Sequence, residues 1–255
     1  PRLQRLFPAL GTCPVPEFEE REHGPRSLRH LNRIGFVTGM QSEAACLTEI
    51  SNTSSDNRHL ISCAGGSPGR AYFAAEKMIE NGASRLISFG ICGALDPTIR
   101  PGHIALPSHV INPKNEFFAA DPGWRDALSK RYSSRIRVHA GSLMTTEIAV
   151  SSVAEKRSLQ QRTGASTVDM ESASVGAKAA EANIPFIVIR AAADPAERAL
   201  PQSALVGLTP NGNTRSAAVI GQLARRPWEL VELLRLGKDS AQALEALRRV
   251  ALLGF

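Results

Sequence analysis

The chain has 255 residues, 43% of them hydrophobic and 21% charged, a composition that supplies a full core and argues against a disordered chain. The net charge of +6 is modest, aromatics are only 5%, and no long Lys/Arg run occurs, which argues against a nucleic-acid-binding protein. Cys13, Cys46, Cys63 and Cys92 form no C-x-x-C pair and have no His at zinc spacing, so they read as free thiols in a reducing cytosol.

No segment has the apolar length of a membrane span, and the first residues lack a basic-then-apolar leader pattern. The expectation is a cytoplasmic protein. Residues 1–32 combine prolines and mixed charge with little periodicity and read as an irregular extension, with the domain proper spanning 33–255. The run Ile34 to Gly39 predicts a buried strand ending in a turn, followed by a helix from Ser42 with Glu43 in its first turn.

His59 to Ala64 predicts a strand, Gly65 to Gly69 a loop, and Arg70 to Asn81 a helix closed by Gly82. Strands follow at Arg85 to Cys92 and His103 to Ile111, then a Pro- and Asn-rich stretch. Arg137 to Met144 reads as a strand, Ser151 to Arg162 as a helix, Ser166 to Met170 as an extended piece, and Glu171 to Asn183 as an Ala-rich helix. Phe186 to Ala193 is the clearest buried strand. Leu223 to Leu236 and Ala241 to Leu253 read as two helices parted by Gly237. Their apolar faces (Leu230, Val231, Leu234; Leu244, Leu247, Leu252) are flanked by Arg225, Arg226, Arg235, Lys238, Arg248 and Arg249. Alternating strands and helices predict an α/β fold with a largely parallel sheet.

Three acids stand where α/β folds place chemistry, at the carboxyl ends of strands: Glu43, Glu171 and Asp194. Alone, Glu43 and Glu171 read as helix-start acids and Asp194 before Pro195 as a turn residue. Together they make a candidate catalytic set. The Gly-rich segment with Gly66, Ser67, Gly69 and Arg70 offers N–H groups and a cation at a helix start, where an anion can bind. A plain Gly-rich turn is the favoured reading of that segment. His23, His30, His59, His103, His109 and His139 show no ligand spacing, and no dinucleotide fingerprint is present, so no metal or cofactor is expected.

Four segments in order resemble the methylthioadenosine/S-adenosylhomocysteine nucleosidases. Thr38-Gly39-Met40-Gln41-Ser42-Glu43 resembles their G-A-M-x-x-E opening, and Phe89-Gly90-Ile91-Cys92-Gly93-Ala94-Leu95 their T-G-S-A-G-G-L turn. Val168-Asp169-Met170-Glu171 resembles V-x-M-E, and Arg190 to Asp194 resembles R-x-x-S-D. Ile87 to Pro97, Ala193 to Pro201 and Leu223 to Pro227 are similar to the hopanoid-associated phosphorylases, a subfamily thought to remove adenine from adenosylhopane.

The resemblance implies a single-domain three-layer sandwich, nucleoside phosphorylase-like, with a mixed sheet between helices. It implies cleavage of a purine N-glycosidic bond, with Asp194 protonating the leaving base, Glu43 activating water and Glu171 binding ribose. Met170 would pack on the sugar, Ala149 and Val150 would contact the base, and Gly90, Ile91, Cys92 and Gly93 would line the substrate site. Ser88 and Ile91 stand where bacterial purine nucleoside phosphorylases carry a phosphate-binding Arg and Ser, so hydrolysis is favoured over phosphorolysis. Ile91 also replaces a nucleosidase Ser near the attacking water, and Ala193 replaces a Ser beside the acid. A non-catalytic nucleoside-binding module is the reading from another class. The expected partners are a small nucleoside, lipid-linked in the hopanoid reading, and further copies of the chain. Peripheral contact with the inner membrane face through the C-terminal helices is the weaker expectation, since those helices can instead cover the sheet or form an interface.

Overall fold

The computed structural model describes residues 33–51, 59–206 and 216–255. The extension predicted at 1–32 lies outside the described residues. Among the described residues ten strands form one mixed sheet: β1 (Ile34–Thr38), β2 (Leu60–Cys63), β3 (Arg85–Ala94), β4 (Ile104–Ala105), β5 (His109–Ile111), β6 (Phe117–Ala119), β7 (Val138–His139), β8 (Ser142–Thr145), β9 (Thr167–Asp169) and β10 (Phe186–Asp194). The long pair β3 and β10 runs parallel through its centre, with β1 parallel to β3 on one side. Antiparallel pairing is confined to β10/β4, β3/β9 and β5/β6 among the described residues.

The helices are α1 (Gln41–Ser51), α2 (Pro68–Glu80), α3 (Pro122–Ser133), α4 (Val153–Thr163), α5 (Ser172–Glu181), α6 (Gln202–Leu205), α7 (Ser216–Arg225) and α8 (Leu230–Leu253). Alternation along the central strands explains the three layers, because successive side chains leave a strand on opposite faces. Phe36, Ile87, Phe89, Ile187 and Ile189 pack with α1, α3 and α8. Val37, Leu86 and Val188 pack with the alanines of α2 and α5 on the other face. Both faces of the central sheet are thus covered, which is why these strands read as near-continuous apolar runs.

Several boundaries differ from the sequence reading. His103 to Ile111 is two short strands, since Pro107 between them lacks a ladder N–H. Arg137 to Met144 is also split, at Gly141, whose φ of 129° interrupts the extended chain. Helix α2 starts at Pro68 rather than Arg70, because Pro at a first helical position sacrifices no hydrogen bond. Helix α3 and strand β6 were not anticipated in the Pro- and Asn-rich stretch. The signal for α3 was Asp121, whose carboxylate caps the backbone N–H of Trp124 at 2.7 Å, followed by Pro122.

At the C-terminus the expected break at Gly237 is absent: α8 runs unbroken from Leu230 to Leu253. A glycine inside a helix costs only about 1 kcal/mol. Burial of Ala243, Ala246, Leu247, Val250 and Ala251 along one helical face outweighs that cost.

Candidate active site

A cavity of about 550 Å³ opens where the carboxyl ends of β1, β3, β9 and β10 meet. Glu43, Glu171 and Asp194 all line it. The same wall carries Met170, Ala149, Val150, Ile91, Cys92 and Gly93. Of the Gly-rich segment, Gly66 and Ser67 reach the rim, whereas Gly69 and Arg70 do not. Gly90 also lies behind the wall; a Cβ there would sit 2.6 Å from the Glu43 carboxyl carbon.

Each acid is brought in by its own local structure. Glu43 sits in the first turn of α1 and folds back onto the end of β1. Its Oε2 accepts N–H bonds from Gly39 and Met40, both at 2.8 Å, and its Oε1 accepts the Ile91 N–H at 2.8 Å. Burial pushes its pKa up, while Arg190 and the three N–H donors act in the opposite direction.

Glu171 precedes α5 without capping it. The first N–H groups of that helix are satisfied instead by Asp169, 3.2 Å from Ser172 N, and by Thr145 Oγ1, 3.0 Å from Ala173 N. The Glu171 carboxylate is thereby left for the cavity, beside Gly39, where a Cβ would stand 2.7 Å from its Oε1. Burial raises its pKa, and the neighbouring Asp169 and Glu43 add to the rise against the opposing Arg190.

Asp194 ends β10 just after an irregularity in its pairing with β3: Ala192 faces Cys92 and Asp194 faces Gly93. Such a bulge re-aims a side chain at a strand end, and the Gly93 surface leaves room for the carboxyl group. Burial raises the Asp194 pKa, and the ammonium of Lys156 lowers it. Burial likewise holds the Cys92 thiol in its protonated form.

Behind the cavity lies a fully buried guanidinium. Arg190 reaches Asp169 at 2.6 Å, Glu171 at 3.2 Å and Ser88 Oγ at 2.9 Å. Burial works against its charge, and Asp169, Glu171 and Glu43 favour the cationic form. Ser88 is wholly buried and bonded to Arg190 and to Ser172, so it belongs to this network and not to the cavity surface. Arg190, Asp169 and Lys156 are the site groups that were given no role from sequence. An Arg inside an all-apolar strand was the available signal for the first, since a buried cation needs anionic partners. Nothing local marks Lys156 as buried, because it lies on a helix rich in exposed polar residues.

The arrangement offers an acid able to carry a proton, two further carboxylates able to face a developing cation, and a small apolar wall. These are the requirements of glycosidic cleavage through an oxocarbenium-like transition state. Comparison with known proteins agrees. A purine nucleoside phosphorylase of DeoD type from Streptococcus pyogenes serotype M4 is 24% identical over 172 residues, covering 60% of this chain and 72% of that protein. The solved futalosine hydrolase of Helicobacter pylori superposes with a TM-score of 0.65 at 14% identity, covering 87% of this chain and 97% of that one. A 5′-methylthioadenosine/S-adenosylhomocysteine nucleosidase from Neisseria meningitidis, solved with methylthio-immucillin-A, gives a TM-score of 0.62 at 17% identity over 86% of this chain and 98% of that one. A family model described as the phosphorylase superfamily matches residues 43–225. The chain therefore belongs to the phosphorylase superfamily and is an enzyme that cleaves nucleoside N-glycosidic bonds.

Proposed function

We propose that the enzyme hydrolyses an adenine nucleoside, with adenosylhopane of hopanoid lipid assembly as its substrate, releasing adenine and the ribosyl lipid. Asp194 donates a proton to N7 as the C1′–N9 bond breaks and its electron pair passes to the base. Glu43 accepts a proton from the water whose oxygen bonds C1′. Glu171 accepts hydrogen bonds from ribose hydroxyls and faces the positive charge that builds on the sugar, with Met170 against the ring. Ala149 and Val150 lie beside the base.

The observation that carries hydrolysis is the setting of Glu43. The N–H groups of Gly39, Met40 and Ile91 that could cradle a phosphate are already bonded to its carboxylate. An incoming phosphate would meet a negative charge and no free donor from this set, and Arg190 is already engaged by carboxylates. The lipid-linked substrate rests on the resemblance to the hopanoid-associated phosphorylases. It is consistent with exposed apolar residues in the C-terminal region, among them Trp228 between α7 and α8 at 71% exposure and Leu234 of α8 at 65%.

The test is adenine release from adenosylhopane with and without phosphate, the sugar product being weighed by mass spectrometry. Release without phosphate is expected, giving the free ribosyl lipid. Strict phosphate dependence would overturn hydrolysis and direct attention to the rim at Gly66 and Ser67. Rapid turnover of methylthioadenosine with none of adenosylhopane would remove the lipid substrate. Asp194→Asn should lower kcat by about 100-fold or more while nucleoside binding persists; unchanged turnover would remove Asp194 from the chemistry.

A further inference from the structure

The only anion paired with the buried Lys156 among the described residues is Asp194. The Lys156 side chain is 1% exposed and that of Asp194 12%. Its Nζ donates to Asp194 Oδ2 and, at 2.9 Å each, to the carbonyls of Pro195 and Arg198. Its three hydrogens are therefore used, all on the segment that leaves β10. The helix that carries it, α4, starts at a capping box in which Ser152 Oγ accepts the Glu155 N–H and Glu155 accepts the Ser152 N–H. That box lies directly after Ala149 and Val150, so one short stretch of chain holds both the wall of the cavity and the cation behind the acid.

We infer that Lys156 is the positioning residue of Asp194: it fixes Oδ2 toward α4, leaves Oδ1 for the substrate, and opposes protonation of the carboxyl group. The inference rests on the reading of Asp194 as proton donor. Hydrogen bonding explains the orientation, since among the described residues no donor other than Lys156 reaches the Asp194 carboxylate. Electrostatics explains the protonation. Burial favours the neutral acid and the adjacent ammonium favours the carboxylate, so the pair sets how much acid is available at a given pH.

The other groups facing Asp194 cannot replace this control. Arg198 lies in the segment after β10 and is itself paired with Asp239 of α8, and the two act on the Asp194 carboxyl in opposite directions. Cys92 on β3 is neutral. Tethering also matters, because the Lys156 bonds to Pro195 and Arg198 hold the chain that continues to Leu200, another residue of the cavity wall.

The sign of the pH effect follows. A proton donor must be protonated, so kcat/KM falls as pH rises through the Asp194 pKa. Without Lys156 that pKa rises, and the falling limb moves to higher pH. Lys156→Met and Lys156→Gln are expected to shift it up by about one pH unit or more, the size of effect a close opposite charge exerts. Lys156→Arg keeps the charge and should hold the limb near its original position, even if kcat drops from altered geometry. Lys156→Gln retains a hydrogen-bond donor to the segment, so it reads the charge effect if the Met variant does not fold. A limb that stays in place in a folded Met or Gln variant, with kcat lowered evenly at all pH values, would overturn the inference and leave Lys156 a purely structural tether. The Asp194→Asn variant separates the two levels: full turnover there defeats the proton-donor reading itself. Loss there, with an unmoved limb in the Lys156 variants, defeats only the role of Lys156.

Discussion

Three carboxylates in one cavity would repel one another; Arg190 compensates Glu43 and Glu171, and Lys156 compensates Asp194. The Arg190 guanidinium is buried among Asp169, Glu171 and Ser88, and it also lowers the cost of ionised Glu43. Breaking a buried ion network from one side leaves uncompensated charge, which costs about 3–5 kcal/mol. Arg190→Met is therefore expected to destabilise the protein by an amount in that range, measured by urea unfolding near neutral pH. A change below about 1 kcal/mol would mean that the carboxylates relax by protonating. Part of this was legible in the sequence: Glu43, Glu171 and Asp194 were each recognisable as acids at strand ends. The pairing of Arg190 with Asp169, and of Lys156 with Asp194, joins residues 21 and 38 positions apart through side chains, and no local pattern encodes it.

Among the elements, the long central strands announced themselves and the helix boundaries did not. Phe186 to Ala193 is an unbroken apolar run and becomes the fully buried β10, because a strand covered on both faces has no polar side to show. Gly237 misled, since a glycine that ends one helix and a glycine carried inside one look alike in sequence. In α8 no neighbour lies within 4 Å of where its Cβ would be. Gly237→Ala should accordingly stabilise the protein by about 0.5–1 kcal/mol, by restricting the unfolded chain and favouring the helix. Loss of stability in the same urea measurement would show that the helix needs flexibility there.

For the molecule as a whole, α8 divides into two halves of different character. Ala243, Ala246, Leu247, Val250 and Ala251 pack on the central sheet, while Leu230, Val231 and Leu234 are exposed, as are Trp228 and Ile220 earlier in the chain. Arg225, Arg226, Arg235 and Lys238 are exposed along the same stretch. No helix among the described residues is long and apolar enough to cross a membrane. If this face meets an anionic bilayer, the full chain should float with anionic phospholipid vesicles and lose binding about tenfold or more in Val231→Glu/Leu234→Glu, with salt weakening it further. Failure of the folded wild-type chain to float would end the membrane reading and leave the glycosidase untouched. Substitution is the right probe here, because deleting the end of α8 would strip the core of its cover.

The sequence by itself determined the alternating α/β order, the buried central strands and the three acids at strand ends, because period, apolar run length and turn residues are local properties. Only the tertiary structure decided what those acids face. Glu43 accepts the Ile91 N–H besides the two local ones because β3 lies parallel beside β1, and Gly93 meets Asp194 because a bulge turns the end of β10. Lys156 reaches the acid only once α4 lies beneath the segment that follows β10. Charge compensation in a buried site depends on distances across the fold, which one-dimensional spacing does not carry.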